Sequence, residues 1–486
     1  MKLLKPVILV LMLLVGIKLL FAKPRRAEPN LGPGVVFIDY WEKWGGDEAA
    51  SMQRVIDDFN GSVGKDKGIY VRYMSMSDIH KKTLVATAAG VPPDVAGIFE
   101  AQVPQYAELD ALEPLDDLAR EYGIGPEYYK PVYWKMCTFR GRLWGLMSTP
   151  SALGVVYNKR IFRENAEALR AAGCDPNRAP RTIEELDRYA HALEVRDPRD
   201  PSRLARGGFL PMEPDWFLPF YCYYFGGDLY DAQADRITFG TDPRTRRSFE
   251  WMQSYPRRLG TDAAGEQFAS KHTGFASTQN PMFTGRIAMT LQGPWMATFM
   301  QRYRPDLCEA IVPRGLEPFL PRALREHNYD WGVAPFPCDV PGGEELHARQ
   351  RPAYCGGDVL AIPRGAKHKR EAFEFIAYVN RQDVIERLCA VQAKLTPLSR
   401  VSDDFMRTHP NPYIKVFDEI AASPQARGPQ QIPIFPEVVD QVTYMVQKLM
   451  TLNGTAEELL RESQVRLDEK YELFKSRQRS RTTSSE

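Results

Sequence analysis

The sequence predicts an α/β fold whose first sheet is parallel, in a chain too long for one ordinary core. Three observations carry that prediction. Short apolar runs alternate with helical periodicity in the order β-α-β-α-β, which puts helices on the faces of a parallel sheet. The chain has 486 residues, so it holds two or more domains or one large α/β unit. Hydrophobic residues make up 44%, which excludes a largely disordered chain, and a mean hydropathy of -0.38 excludes a polytopic membrane protein. The formal net charge of +1 leaves no electrostatic footprint for nucleic acid.

The elements follow in order. Val35 to Tyr40 is an apolar run suited to a buried strand. Met52, Val55, Ile56 and Phe59 repeat at helical spacing and form one face. Ile69 to Met74 reads as a second strand. A helix over Lys81 to Ala89 stops at Gly90, and Pro92-Pro93 blocks its continuation. Asp94 to Phe99 is a third strand. In such sheets ligands sit beyond the carboxyl ends of the strands. Trp41, Glu42 and Trp44 follow strand one there, and Glu100 and Gln102 follow strand three.

A second α/β stretch starts near Pro150. Leu153 to Tyr157 is strand-like and Ile161 to Ala172 helical. Thr182 with Glu185 reads as a capping box. Asp215 to Phe225 is dense in aromatics and ends at Gly226-Gly227. Phe249 to Tyr255 is helical, Ile287 to Leu291 a strand, and residues 303–330 an insertion. Val359 to Ile362 returns as a strand, followed by a helix through Phe375 and Val379. The C-terminal region is helical, with Thr455 and Glu458 capping a last helix and a polar tail over 477–486 expected to be disordered.

The N-terminus reads as an export segment. Lys2 and Lys5 precede an apolar run from Pro6 to Ile17, continued by Leu19 to Ala22 and closed by Lys23, Arg25 and Arg26. Leu20 fits a small-x-small cleavage site poorly, so residues 1–26 are either a signal peptide or an uncleaved membrane anchor. The seven cysteines are odd in number and lack CxxC spacing, which suits buried apolar residues better than a disulfide framework. The scattered histidines give no support for a metal site. There is no phosphate-binding GxxxxGK[ST], no GxGxxG after a strand and no GxSxG elbow.

Several segments together resemble one family. AAGVPPDVAGIFEAQVPQYAELDALEPLDDL (88–118), FRGRLWGLMSTPSALGVVYNKRIF (139–162) and APRTIEELDRYAHAL (179–193) occur in the order and spacing of the extracellular solute-binding proteins of bacterial ABC importers, in their sugar-binding, maltose-binding-protein-like branch. FTGRIAMTLQGPW (283–295), DWGVAPFP (330–337) and GGDVLAIPRGAKHKREAFEFIAYV (356–379) continue the match. The sequence departs from the pattern at Asp110-Ala111, where a Gly is usual, and at Ile183, where a Trp is usual.

The resemblance implies a periplasmic-binding-protein type II fold: two α/β lobes, a hinge and a ligand cleft between the lobes. It places lobe one at 34–149 and 352–396, and lobe two at 150–351 and 397–476. It implies an exported monomer, in the periplasm or on the outer face of the cytoplasmic membrane, that captures a carbohydrate for an ABC permease without a cofactor. A sugar needs aromatic faces for its C–H surface and planar polar groups for its hydroxyls. Candidates are Trp41, Glu42, Trp44, Glu100 and Gln102, then Ser151 at the first crossing, Trp216 and Tyr223 in the aromatic stretch, and Trp295 in the G-x-W motif. Gly356, Gly357 and Asp358 lie where the chain returns to lobe one, and glycine lets backbone approach a ligand. Trp41, Trp44 and the aromatics from Trp216 to Phe225 also suit core positions.

Two other functions share this chemistry. A glycoside hydrolase would need two carboxylates roughly 5–10 Å apart, for which Glu42 and Glu100 are the nominees. A sugar sensor would use the same lobes to report to a membrane receptor kinase.

Overall fold

The computed structural model describes residues 33–269, 276–308 and 329–483. The expected export segment and most of the expected insertion lie outside them. Strand β1 (Val36–Glu42) buries Ile38, Tyr40 and Glu42 on one face. Helix α1 (Gly46–Gly61) covers that sheet with Met52, Val55, Ile56 and Phe59, the stripe read from the sequence. Strand β2 (Ile69–Ser75) runs parallel to β1, with Val36 opposite Ile69 and Glu42 opposite Ser75. Helix α2 (Ile79–Ala88) ends at Gly90, whose φ of 71° terminates it in the left-handed region. Strand β3 (Val95–Phe99) then pairs parallel with β1 on its other side.

Helix α3 (Pro131–Cys137) leads through a hairpin to β4 (Leu146–Ala152), and β5 (Gly154–Asn158) follows at once. The chain changes cores within these few residues: Ala152 lies in the first and Leu153 in the second. Helix α4 (Ile183–Ala192) starts at Thr182, whose Oγ1 accepts the Glu185 N–H at 3.1 Å. Glu185 does not complete the box. Its carboxylate accepts from the Arg178 guanidinium and the Arg181 N–H instead, because a charge-assisted pair outbids a neutral amide. The helix expected over 161–172 is two, Lys159–Glu164 and Ala166–Ala171. They break at Asn165, whose amide donates to the Ile161 carbonyl at 2.7 Å and accepts from Arg206 at 3.0 Å.

Helix α5 (Pro243–Leu259) packs in the second core. Strands β6 (Met289–Gln292) and β7 (Trp331–Pro335) flank β5 on either side, both antiparallel to it. Helix α6 (Met296–Tyr303) lies between them in the chain. Strand β8 (Ala353–Ala361) returns to the first sheet antiparallel to both β3 and β4. That sheet is therefore mixed, because β8 arrives from the second core rather than through a β-α-β crossover, the unit that fixes parallel direction. Helix α7 (Lys369–Val379) covers it beside α1.

Residues 405–421 come from the stretch expected in lobe two but pack in the first core, through Phe405, Tyr413, Phe417 and Ile420. Tyr413 donates to the Trp331 carbonyl at 2.6 Å, while Asp418 holds the buried Lys130 at 2.9 Å. Helices α8 (Phe435–Met450) and α9 (Ala456–Thr483) close the second core. Thr455 and Glu458 form the expected box, with Thr455 N–H on Glu458 Oε2 at 2.9 Å. Helix α9 continues into the stretch read as a disordered tail as far as Thr483, carried by helix-favouring Arg477 and Gln478. None of the seven cysteines forms a disulfide, and six of them are buried.

Candidate functional site

The site grows from the carboxyl ends of β1 and β3. Glu42 ends β1 on its buried face and is fully enclosed. It fits because β3 carries Gly97 opposite: a Cβ there would sit 1.8 Å from Glu42 Oε2. Tyr40 donates its hydroxyl to Glu42 Oε2 at 2.9 Å, and the Lys43 N–H donates to Oε1 at 2.7 Å. The Lys43 ammonium pairs with Asp358 and lies 4.1 Å from the Phe99 ring centroid. Asp358 Oδ2 also accepts from the Trp44 indole at 3.2 Å and the Thr149 hydroxyl at 2.8 Å.

A second group adjoins it. Glu100, just past β3, is buried, and Tyr354 donates to its Oε1 at 3.3 Å. Gly356 sits between them. A Cβ there would lie 2.7 Å from Glu100 Oε1, 3.2 Å from Tyr354 Oη and 3.4 Å from Ser151 Oγ. Bare backbone at 356 is what lets three polar side chains converge. Gly357 serves packing instead, since its Cβ would meet Met147 Sδ at 2.4 Å.

The electrostatics divide the carboxyls. Burial pushes Glu100 up to about 7, helped by the charge of Asp358 and opposed by the Gly357 N–H and Lys43. Burial likewise raises Glu42, against Lys43. Burial would raise Asp358 too, but Lys43 and Lys394 outweigh it and hold it below the usual carboxylate range. Burial would lower Lys43, but Asp358 and Glu42 keep it raised. The site thus pairs a fixed carboxylate and ammonium with a Glu100 that can donate or accept a hydrogen bond near neutral pH. Such a mixed set suits hydroxyls, which both give and take hydrogen bonds.

Of the residues nominated from sequence, Glu42, Trp44, Glu100, Ser151, Gly356, Gly357 and Asp358 come together here. Trp44 is 3% exposed and serves the core with its ring. Trp41 is placed on the face of β1 opposite Glu42, and its buried indole N–H has no hydrogen-bond partner among the described residues. Gln102 folds back to accept the Phe99 N–H at 3.3 Å, a local cap. Tyr223 is fully buried in the second core, its hydroxyl donating to the Gly428 carbonyl at 3.1 Å.

Trp216 is 47% exposed, edge-on to Phe217, which in turn lies 6.1 Å from Tyr354. Trp295 packs against both cores. Its indole donates to Gln292 Oε1 at 3.0 Å, and the ring lies over Gly293, where a Cβ would be 2.3 Å away. Sequence reasoning missed Lys43, Thr149 and Tyr354. Lys43 lies between two nominated residues, a signal that was present. Thr149 and Tyr354 enter only through the pairing of β4 with β8.

Among the described residues, no group of three His, Cys, Asp or Glu side chains is placed to hold a metal ion. No described helix is long and apolar enough to cross a membrane. No curated protein matches the sequence at a significant level. Solved structures do. CpMnBP1 with mannobiose bound superposes with a TM-score of 0.70 at 20% identity, covering 89% of this chain and 99% of that one. The sugar-binding protein MalE of Xanthomonas citri gives 0.68 at 18%, covering 90% and 98%. Maltose-bound T. maritima MalE3 gives 0.64 at 18%, covering 89% and 99%. At these identities the likeness is one of fold, the two-lobed type II architecture. The sequence profile of the bacterial extracellular solute-binding proteins matches residues 45–384, and the chain belongs to that family.

Proposed function

We propose that this protein captures a carbohydrate outside the cytoplasmic membrane and delivers it to the permease of an ABC importer. The observation that carries the reading is the convergence of Glu100, Ser151 and Tyr354 on the bare backbone of Gly356. Beside it lie the Lys43–Asp358 pair and, between the cores, Trp295. Fold neighbours carry mannobiose, α-D-tagatose and maltose, which supports a sugar in the same architecture. Lobe one comprises 34–149 and 352–396, and lobe two 150–351 and 397–476. Glu100, Tyr354 and Gly356 belong to the first and Ser151 and Trp216 to the second, so a bound ring is held from both sides. The protein acts as a monomer, exported by residues 1–26, which either are removed or tether it.

A thermal-shift screen against mono- and oligosaccharides tests this. A ligand at 100 times its Kd stabilises the folded state by about 2.7 kcal/mol. The expected result is such a shift for one sugar class, lost in Asp358→Asn. A broad carbohydrate panel that stabilises nothing overturns the reading.

A further inference from the structure

Tyr354 stands where three passages of the chain between the two cores meet. At the first, Ala152 lies in one core and Leu153 in the other. At the second, Ala353 and Cys355 lie in the first core and Tyr354, between them, in the second. The third runs from Ala421 in the first core to Ile432 in the second, through the two-residue strand Ala426–Arg427. Tyr354 joins all three. Its carbonyl accepts the Leu153 N–H at 3.0 Å, and it lies opposite Arg427 in parallel register. A pivot between two packed halves is built from a few element-end residues of this kind.

The side chain bridges the halves as well. Its ring stacks on Phe220 of the second core, with centroids 3.8 Å apart and planes 16° apart. Phe217 and Tyr223 of the same core lie 6.1 and 6.5 Å away. Arg427 ties the neighbouring strand to that half, donating to Asp228 Oδ2 and the Gly227 carbonyl, both at 3.0 Å. The Tyr354 hydroxyl reaches the other half. It donates to Oε1 of Glu100, which follows β3 of the first sheet, at 3.3 Å. Both residues are buried, and among the described residues no other side chain hydrogen-bonds or ion-pairs with Glu100. Ala101, next in the chain, packs against the second core too.

We propose that Tyr354 is the positioning residue through which a group bound to Glu100 sets the angle between the lobes. The inference rests on the sugar-capture reading and makes one side chain answer to both sides of the cleft. The ring travels with the second core and the hydroxyl with Glu100, so what Glu100 binds is felt at the pivot. The stack alone transmits nothing, because Phe220 and the Tyr354 ring turn together.

The test is small-angle scattering of the full chain, first without sugar and then with millimolar maltose or mannobiose. Tyr354→Phe keeps the stack and removes the hydroxyl. Glu100→Ala cuts the same link from its other end. Without sugar, each should enlarge the radius of gyration. The double variant should enlarge it no further than either single one, since one link is lost only once. Tyr189→Phe is the control. Its buried hydroxyl gives up a bond to the Asp175 carbonyl at 2.8 Å within the second core, and its radius should stay native. With sugar, Tyr354→Phe should lose most of the compaction of the native chain and bind about tenfold more weakly, as loss of one hydrogen bond to a carboxylate does. The proposal is overturned by a native radius in Tyr354→Phe, by additive effects of the two variants, or by an equal change in Tyr189→Phe. A native chain that neither sugar compacts counts against the sugar reading, and the sugar-free arm then decides the coupling by itself.

Discussion

Glu100 is the residue whose surroundings matter most. Its pKa of about 7 is raised above the carboxylate value of 4.5, so the folded state holds a proton that the unfolded chain has released. Below pH 4.5 both states are protonated and folding bears no penalty. As pH rises from 4.5 to 7, the unfolded chain ionises first, and stability falls. The loss amounts to on the order of 3 kcal/mol once pH passes 7. Urea unfolding should show the advantage of Glu100→Gln over the native chain growing from pH 4.5 to 8, and a constant difference would contradict the buried carboxyl. Gly356→Ala probes the same place sterically. Its Cβ would lie 2.7 Å from Glu100 Oε1. Sugar affinity should drop about 10- to 200-fold, the range for one misplaced carbon in a fitted pocket. Equilibrium titration of both chains with the sugar found by screening checks this.

Strand pairing decides which of these residues can meet. The β1–β3 contact works only because a glycine faces a glutamate. Gly97→Ala would drive a methyl into Glu42 Oε2 and should destabilise the protein by about 1–3 kcal/mol, as overpacking does. Glu42→Ala added to it should recover part of that loss, and a double-mutant cycle on unfolding free energies measures the coupling. Additive effects would mean that Gly97 answers to the strand and not to Glu42. The β4–β8 pair is the other determinant. Ser151 lies opposite Gly356 and Thr149 opposite Asp358, so two sequence-distant stretches become one polar surface. At the C-terminus the arrangement is local. Thr455→Ala removes the cap of α9 and should cost about 1 kcal/mol, read as a lower melting temperature.

Across the molecule, Trp295 touches both cores. If the lobes close on a sugar, its environment must change with them. Saturating ligand should reduce the radius of gyration in solution scattering and change tryptophan fluorescence, and Trp295→Phe should remove much of the fluorescence change. An unaltered radius would speak against lobe closure. An exposed ion pair, Arg302 with Asp47, also joins α6 to the start of α1. Both helices pack in the first core and solvent screens the pair, so it adds little to holding them together.

The sequence by itself determined the local structure. The helical stripe of α1, the stop at Gly90, the box at Thr455 and the β-α-β-α-β order are all short-range chemistry, and the motif order identified the family. It also brought Glu42, Glu100, Ser151, Gly356 and Asp358 into view. The tertiary structure decided the rest. Trp44 and Tyr223 became core residues, because burial depends on what packs opposite and not on residue type. Gln102 turned inward to cap its own turn. Thr149 and Tyr354 joined the site through the pairing of β8 with strands some two hundred or more residues away in the chain, and Lys43 through its ion pair with Asp358. The two roles of Gly356 and Gly357, adjacent and identical in sequence, separated only because β8 presents one to Glu100 and the other to Met147. Alternation along a strand sends neighbours to opposite faces, and only the fold says what each face meets.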